Sequence, residues 1–197
     1  MRIRNEYNKY LIIIYKMASK KNVSDKDIKK KIKIGLTSDE IYNKLNKEVR
    51  IMSYKQLNQF DNISEILEPF GRVIILYELI DSLGHWVCLI RRGKNSVEFF
   101  DSYGGLPDSQ FKYIHKDFKT NDYGTYPLLT AMLYESGYKI YYNDVKLQSP
   151  DPKVATCGRW CCLRCLFSDL NEYEFSRMWL KKKDPPDFLV TACYDII

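Results

Sequence analysis

The chain has 197 residues, of which 45% are apolar and 28% are charged, and this is the composition of an ordinary globular protein. A chain of this length buries roughly 70% of its unfolded surface when it folds, so it is large enough to be stable without disulfides or a metal. The composition therefore excludes low-complexity, repetitive and collagen-like architectures.

The formal net charge is +6, and much of the excess lies near the N-terminus. Lysines between residues 20 and 33 form a candidate contact for DNA phosphates: Lys20, Lys21, Lys29, Lys30, Lys31 and Lys33. A solvated surface is the favoured alternative, because arginine is scarce there and no aromatic residues alternate with the lysines. The apolar run at 10–15 is shorter than the ~20 residues of a membrane span, so we expect a strand or loose arm there and no membrane association.

The first predicted helix spans residues 38–49. Thr37 and Glu40 have the spacing of a capping box, in which each side chain accepts the other residue's backbone N–H. Three apolar residues then recur at helical intervals: Ile41, Leu45 and Val49. A shorter helix is expected at 62–68.

The middle of the chain changes to runs of β-branched and aromatic residues, which favour strands. Four strands are predicted, at 72–79, 86–91, 96–101 and 138–142. The segment Gly93-Lys-Asn-Ser96 is a hairpin signal between the second and third strands. Three further helices are predicted at 125–136, 157–169 and 171–182.

These elements indicate an α+β fold, in which helices flank a small, mostly antiparallel central sheet. We expect a basic N-terminal leader or arm at 1–36 and a domain at 37–197, with its core at about 70–197. Six cysteines occur, and Cys161, Cys162 and Cys165 are expected to be buried free thiols, because their spacing suits neither disulfides nor structural zinc. That usage indicates a reducing compartment.

His85 and Asp101 form the first candidate pair. His85 lies where a loop enters the second strand, and Asp101 ends the third. If these strands form a hairpin, the start of one lies beside the end of the other, so the two side chains meet. A carboxylate there would fix the imidazole tautomer and stabilise the imidazolium. Taken singly, a histidine bonded within its loop and an Asx turn are the alternatives.

Cys157 is followed by Gly158 at the predicted start of an apolar helix. The positive end of the helix dipole stabilises a thiolate, and a nearby imidazolium would complete an ion pair. Gly158 would let a substrate backbone approach and leave the Cys157 amide free to donate. Gln148 is a candidate second donor to an oxyanion. A buried core cysteine and a surface glutamine are the alternatives for each residue alone.

The order of these residues narrows the class of enzyme. In papain-like enzymes the cysteine comes first, and in chymotrypsin-like viral cysteine proteases the nucleophile lies between strands. Here the cysteine comes last and a helix follows. The motifs Gly84-His85-Trp86, Phe100-Asp101-Ser-Tyr-Gly-Gly and Cys157-Gly-Arg-Trp-Cys-Cys resemble the adenovirus-type maturation proteases (adenain) and the related SUMO-specific proteases, over roughly residues 70–197.

The resemblance implies roles for individual residues and an adenain-like cysteine protease fold, with the catalytic cysteine at the N-terminus of a core helix. Cys157 would be the nucleophile, His85 its base and Asp101 the residue that orients the base. Gln148 would help to bind the oxyanion, and Trp86 would shield the histidine.

It also implies a viral cysteine endopeptidase that processes capsid or other structural-protein precursors, with small residues, especially glycine, at the cleavage site. No metal or other cofactor is required, whereas DNA or a short viral peptide is a candidate activator. The expected source is a small DNA virus, a virophage or a related transposable element. The expected location is the virion and the interior of the infected cell.

Two other functions stay open on the sequence. One is an isopeptidase that removes a ubiquitin-like modifier, which would use the same residues. The other is a non-catalytic DNA-binding packaging protein, which would depend on the lysine cluster and not on Cys157.

Overall fold

The computed structural model describes residues 24–80, 83–113, 126–180 and 182–197. Several features of the sequence lie outside these residues: the apolar run at 10–15, Lys20, Lys21 and His115.

The described residues contain seven α-helices and five strands. The α-helices are α1 (Asp25–Lys31), α2 (Ser38–Lys44), α3 (Ile63–Leu67), α4 (Leu128–Glu135), α5 (Cys157–Leu166), α6 (Glu172–Trp179) and α7 (Pro186–Ile196). The strands are β1 (Arg50–Ser53), β2 (Arg72–Ile80), β3 (Leu83–Gly93), β4 (Ser96–Phe100) and β5 (Lys139–Tyr142). Short 3₁₀ helices span Tyr54–Gln59 and Ser109–Tyr113.

The five strands form one sheet in the order β1-β2-β3-β4-β5. The central pairs β2–β3 and β3–β4 are antiparallel, and the predicted hairpin pairs Gly93 with Ser96. Both outer pairs, β1–β2 and β4–β5, are parallel. The α+β class is confirmed, but the sheet is more evenly mixed than the sequence predicted. A parallel pair requires a long crossover connection between its two strands. The sequence of a strand does not indicate whether its neighbour runs parallel or antiparallel, so the two parallel pairs were not predicted.

The first predicted helix is confirmed at its start and is shorter at its end. Thr37 and Glu40 form both hydrogen bonds of the capping box. The helix ends at Lys44, after which Asn46 and Lys47 have positive φ angles of 52° and 64°, values that end a right-handed helix. Val49 is nevertheless 1% exposed, so the apolar spacing predicted the burial correctly and the length of the helix incorrectly.

The sheet has an apolar layer on each face. Side chains alternate between faces along a strand, so Ile74 and Cys88 join the cluster under α5, α6 and α7. Val73 and Val87 join the opposite cluster, which includes Leu57 and residues of α3 and α4. Burial on both faces explains why the central strands are continuously apolar in the sequence.

Helix α5 packs against strand β3. Its buried residues form much of the apolar cluster that contains Ile74 and Cys88. Cys161, Cys162 and Cys165 are fully buried on it, and all three are free thiols. Their prediction as packing residues is therefore confirmed. Burial raises the pKa of Cys161 to about 12, so this thiol stays protonated and behaves as an apolar side chain.

A buried ion pair joins the far end of α5 to β4. Arg164 Nε and Nη2 lie 2.7 Å from the two carboxylate oxygens of Glu98, and both side chains are 0% exposed. Arg164 also donates to the backbone oxygens of Phe167 and Leu170, at 2.8 and 2.7 Å. The bidentate geometry and the extra bonds satisfy charges whose burial would otherwise cost several kcal/mol.

We expect Arg164→Leu to lower the free energy of unfolding by about 3–5 kcal/mol, because it leaves the Glu98 carboxylate buried without its main partner. Arg177→Leu is the matched control. Arg177 is exposed on α6, so its loss should change stability by no more than about 0.5 kcal/mol. Urea unfolding of both variants measures the difference, and equal midpoints would contradict a structural role for the pair.

Candidate active site

His85 and Asp101 lie side by side, as the hairpin predicts. His85 Nε2 is 2.7 Å from Asp101 Oδ1, and the two residues are 3% and 0% exposed. The antiparallel register pairs Cys88 with Phe100, which brings the residues just before Cys88 and just after Phe100 to the same end of the hairpin. The strand pairing therefore brings Asp101 to within two positions of His85 along β3, and the two side chains span the remaining distance.

The Asp101 carboxylate is held by further donors. Its Oδ1 accepts the backbone N–H of Tyr103 at 2.8 Å, and its Oδ2 accepts Nε2 of Gln110 at 2.8 Å. The Asn143 side chain bonds both the N–H and the C=O of Asp101, at 2.9 and 2.7 Å. These bonds fix the orientation of the carboxylate that faces His85. Gln110 and Asn143 carried no signal in the sequence, since neither stands in a motif with the other residues.

Cys157 is the first residue of α5, and His85 lowers the pKa of its thiol through hydrogen bonding and positive charge. Because Asp101 is bound to Nε2 of the imidazole, Nδ1 is the nitrogen left for the thiol. The backbone N–H groups of Trp86 and Gly158 also lower this pKa. The structure thus brings Cys157, His85 and Asp101 into one interacting group.

The pKa values of the pair move in opposite directions. Burial raises the pKa of Cys157, but the hydrogen bond and positive charge of His85 outweigh burial and lower the pKa below its usual value. Burial lowers the pKa of His85, but the hydrogen bonds with Asp101 and Cys157 outweigh burial and raise the pKa to about 10. A thiol with a lowered pKa beside an imidazole with a raised pKa favours the thiolate–imidazolium state at neutral pH.

Gln148 reaches this group through Tyr103. Its Nε2 donates to the Tyr103 hydroxyl at 3.1 Å and to the Val154 carbonyl oxygen at 3.3 Å. Its Oε1 accepts the Ser102 hydroxyl at 2.8 Å. Gln148 is 2% exposed, so it is an interior residue of the site and not a surface glutamine.

The ring that stacks on the imidazole of His85 belongs to Tyr103. The two ring centroids are 4.7 Å apart, and the planes meet at 23°. Trp86, expected as the shield, packs in the apolar layer around α5 and donates its indole N–H to the Leu36 carbonyl oxygen at 3.1 Å. Neighbouring residues of a strand point to opposite faces, so the residue after His85 is directed away from it.

Gly158 allows close packing at the start of α5. A Cβ at this position would lie 3.1 Å from Leu36 Cβ and 3.3 Å from both Ile41 Cδ1 and Trp86 Cδ1. The glycine thus lets residues before and within α2 contact the cysteine helix. In the same region, the Ala155 N–H donates to the Ile32 carbonyl oxygen at 2.8 Å. The described part of the basic leader therefore contacts the segment that carries Cys157.

Asp187, in the first turn of α7, organises the loops around Cys157. Its carboxylate accepts the Thr156 hydroxyl, the Trp160 indole N–H at 3.2 Å and the Ser149 backbone N–H at 2.8 Å. Ser149 directly follows Gln148, and Thr156 directly precedes Cys157. One buried carboxylate therefore holds the loops that carry both candidate residues. The sequence around Asp187 gives no indication of these bonds.

The lysine cluster is partly described. Lys29, Lys30 and Lys33 are exposed, whereas Lys31 forms a salt bridge of 2.8 Å with Asp195 of α7. Within the described residues no group of three or more histidine, cysteine or acidic side chains is arranged to hold a metal ion. In the same ranges no helix is long and apolar enough to cross a membrane.

The fold and site together describe an α+β protein with a buried Cys–His–Asp line at the start of a core helix. The chain is 38% identical over 170 residues to the uncharacterized protein V9 of Sputnik virophage, an alignment that covers 84% of this chain and 97% of V9. It belongs to the family of that virophage protein. No protein-family model matches the chain.

Solved structures of the ASFV pS273R protease also align with the chain. One is 13% identical with a TM-score of 0.48 and covers 81% of this chain and 67% of that one. A second is 12% identical with a TM-score of 0.45 and covers 82% and 67%, respectively.

We expect iodoacetamide to alkylate Cys157 selectively near pH 7, because its pKa is lowered. In His85→Ala the rate at pH 7 should fall at least about tenfold, the effect of one pKa unit on the thiolate fraction, and should rise with pH instead, since burial then raises the thiol pKa without the charge of His85 to oppose it. Mass spectrometry of the alkylated peptides measures both rates.

The other five cysteines serve as internal controls in the same samples, because the pKa of each is raised. Burial is the main cause for Cys88, Cys161, Cys162 and Cys193, and the hydrogen bond with Cys88 followed by burial is the cause for Cys165. Identical pH profiles for Cys157 in the two proteins would contradict an activated pair.

Proposed function

We propose that the protein is a cysteine endopeptidase, with Cys157 as nucleophile, His85 as general base and acid, and Asp101 as the residue that orients His85. The observation that carries the proposal is the buried group in which the Asp101 carboxylate is bonded to the His85 imidazole at 2.7 Å and His85 lowers the pKa of the Cys157 thiol. An activated nucleophile needs a base within hydrogen-bond reach and a third group that orients the base, and these three side chains meet that requirement.

Peptide hydrolysis would proceed in two stages. The Cys157 thiolate attacks the scissile carbonyl carbon, and the carbonyl electron pair moves to the oxygen. When the C–N bond breaks, the imidazolium of His85 gives its proton to the leaving amine and an acyl thioester remains on Cys157. Water then gives a proton to His85 and attacks the thioester, which releases the acid and restores the thiolate and the imidazolium.

The oxyanion requires donors at the start of α5. The backbone N–H of Cys157 lies at the positive end of this helix, and the Gln148 carboxamide is the proposed second donor. Both N–H bonds of Gln148 have acceptors in the resting site. The bond to Val154 is the longer of the two, so it is the one expected to be exchanged for the oxyanion. A donor of this kind contributes roughly 3–4 kcal/mol to lowering the barrier.

The proposed substrates are capsid or other structural-protein precursors, cleaved in the virion or the infected cell. Similarity to a virophage protein over most of both chains supports a viral setting. Small residues around the scissile bond are proposed as the preferred sequence. Non-specific DNA contact is proposed for Lys29, Lys30 and Lys33, which are exposed on or beside α1, and DNA or a viral peptide is the proposed activator.

We expect Cys157→Ala to abolish cleavage and to keep the fold, because the thiol is the atom that bonds to the substrate. Cleavage of co-expressed viral capsid precursors is followed by mass spectrometry, with circular dichroism to check folding and Cys193→Ala as the matched control. Full cleavage activity of the Cys157→Ala variant would contradict the proposal. Cleavage of modifier C-terminal substrates instead of precursors would identify an isopeptidase. DNA binding that fails to depend on Cys157, with no cleavage at all, would identify a packaging protein.

We expect Asp101→Ala to slow turnover about 10- to 100-fold less than Cys157→Ala or His85→Ala does, because Asp101 orients the base and transfers no proton. Gln110→Ala is the control, since it breaks a bond to Asp101 Oδ2 and leaves the carboxylate in place. Turnover of the four variants on one substrate makes the comparison. Equal losses for Asp101→Ala and His85→Ala would mean that Asp101 does more than orient.

A further inference from the structure

Tyr103 contacts three of the four candidate residues, each with a different part of its structure. Its backbone N–H donates to Asp101 Oδ1 at 2.8 Å. Its ring stacks on the His85 imidazole at 4.7 Å between centroids. Its hydroxyl oxygen accepts Nε2 of Gln148 at 3.1 Å. Tyr103 lies in the turn after β4, two positions beyond Asp101, and no role was predicted for it.

Hydrogen bonds from Ser102 and to Tyr103 together fix the orientation of the Gln148 carboxamide. The Ser102 hydroxyl donates to Oε1 at 2.8 Å, so Oε1 is fixed towards the turn and Nε2 is fixed on the opposite side. The hydroxyl of Tyr103 then holds one hydrogen of Nε2. The other hydrogen is shared with Val154 at the longer distance of 3.3 Å, and it is the one that can turn to a substrate oxygen.

The stacked ring limits how the imidazole can move. Asp101 holds one edge of the ring at Nε2, but a single hydrogen bond leaves the ring free to rock about it. The Tyr103 ring lies 4.7 Å from the imidazole, with an angle of 23° between the planes, and covers one face of the imidazole. This contact restricts the motion of the imidazole and keeps water from that face.

We propose that Tyr103 is a positioning residue for the hydrolysis: its hydroxyl fixes the Gln148 carboxamide for the oxyanion, and its ring fixes the imidazole of His85. This inference rests on the proposed function. It separates two tasks within one side chain, because the hydroxyl acts through Gln148 and the ring acts through His85.

Two substitutions separate the tasks. Tyr103→Phe keeps the ring and removes the hydroxyl, whereas Tyr103→Leu removes both. We expect Tyr103→Phe to leave the rate and pH profile of Cys157 alkylation within about twofold of wild type, because the pair with His85 is intact. We expect Tyr103→Leu to slow alkylation at pH 7, because the imidazole is less well held. Tyr113→Phe, at an exposed tyrosine, is the control.

A peptide aldehyde ending in glycinal tests the oxyanion site without turnover. The Cys157 sulfur adds to the aldehyde carbon, and the proton of the imidazolium passes to the former carbonyl oxygen, so the adduct is tetrahedral and nothing is lost. Its Kd is measured by protection of Cys157 from iodoacetamide. We expect Tyr103→Phe to raise this Kd about tenfold, which is less than the roughly 10²–10³-fold effect of losing a donor outright.

A double-mutant cycle with Gln148→Ala decides whether the hydroxyl acts through Gln148. If it does, Tyr103→Phe raises the Kd in the wild-type background and has no further effect in Gln148→Ala. Equal effects in both backgrounds, or no effect in either, would overturn the inference. An activated Cys157 that fails to bind the aldehyde in the wild type would also overturn it. Absence of selective Cys157 alkylation in the wild type would instead overturn the proposed function.

Discussion

The buried pair between Glu98 and Arg164 sets the position of the cysteine helix. Glu98 lies on β4, the strand that leads directly into Asp101, and Arg164 lies near the end of α5, the helix that begins at Cys157. Both charges are removed from water, so the arrangement is stable only when every contact forms. Strand β4 holds helix α5 through Glu98 and leads into Asp101 at its end. The packing of α5 against β4 therefore sets the distance from Cys157 to the His85–Asp101 pair.

Burial gives the site its electrostatic character. Desolvation alone disfavours charge on both Cys157 and His85, and it is overcome because each group stabilises the charge of the other. Asp101 adds a fixed negative partner on the far side of the imidazole. The Cys157 thiolate therefore depends on His85, whereas the imidazolium is stabilised by Asp101 as well as by Cys157.

The chain before β1 forms part of the site's surroundings. Backbone oxygens at Ile32 and Leu36 accept the Ala155 N–H and the Trp86 indole N–H, respectively, and Gly158 leaves the space that this packing needs. The described part of the basic leader thus supports the cysteine loop on one side, while Asp187 supports it on the other. The alignment with the virophage V9 protein covers 84% of the chain.

The sequence alone determined the elements whose signals are local: the capping box at Thr37, the hairpin between β3 and β4, and the apolar helix after Cys157. The hairpin also predicted that His85 and Asp101 lie at the same end of β3 and β4, since an antiparallel pair brings the start of one strand beside the end of the other. Tertiary structure alone decided the strand β1, the parallel outer pairs, the salt bridge of Arg164, and the contacts of Tyr103 and Asp187. Those features depend on contacts between residues far apart in the chain, and no local spacing records which distant side chains share a buried space.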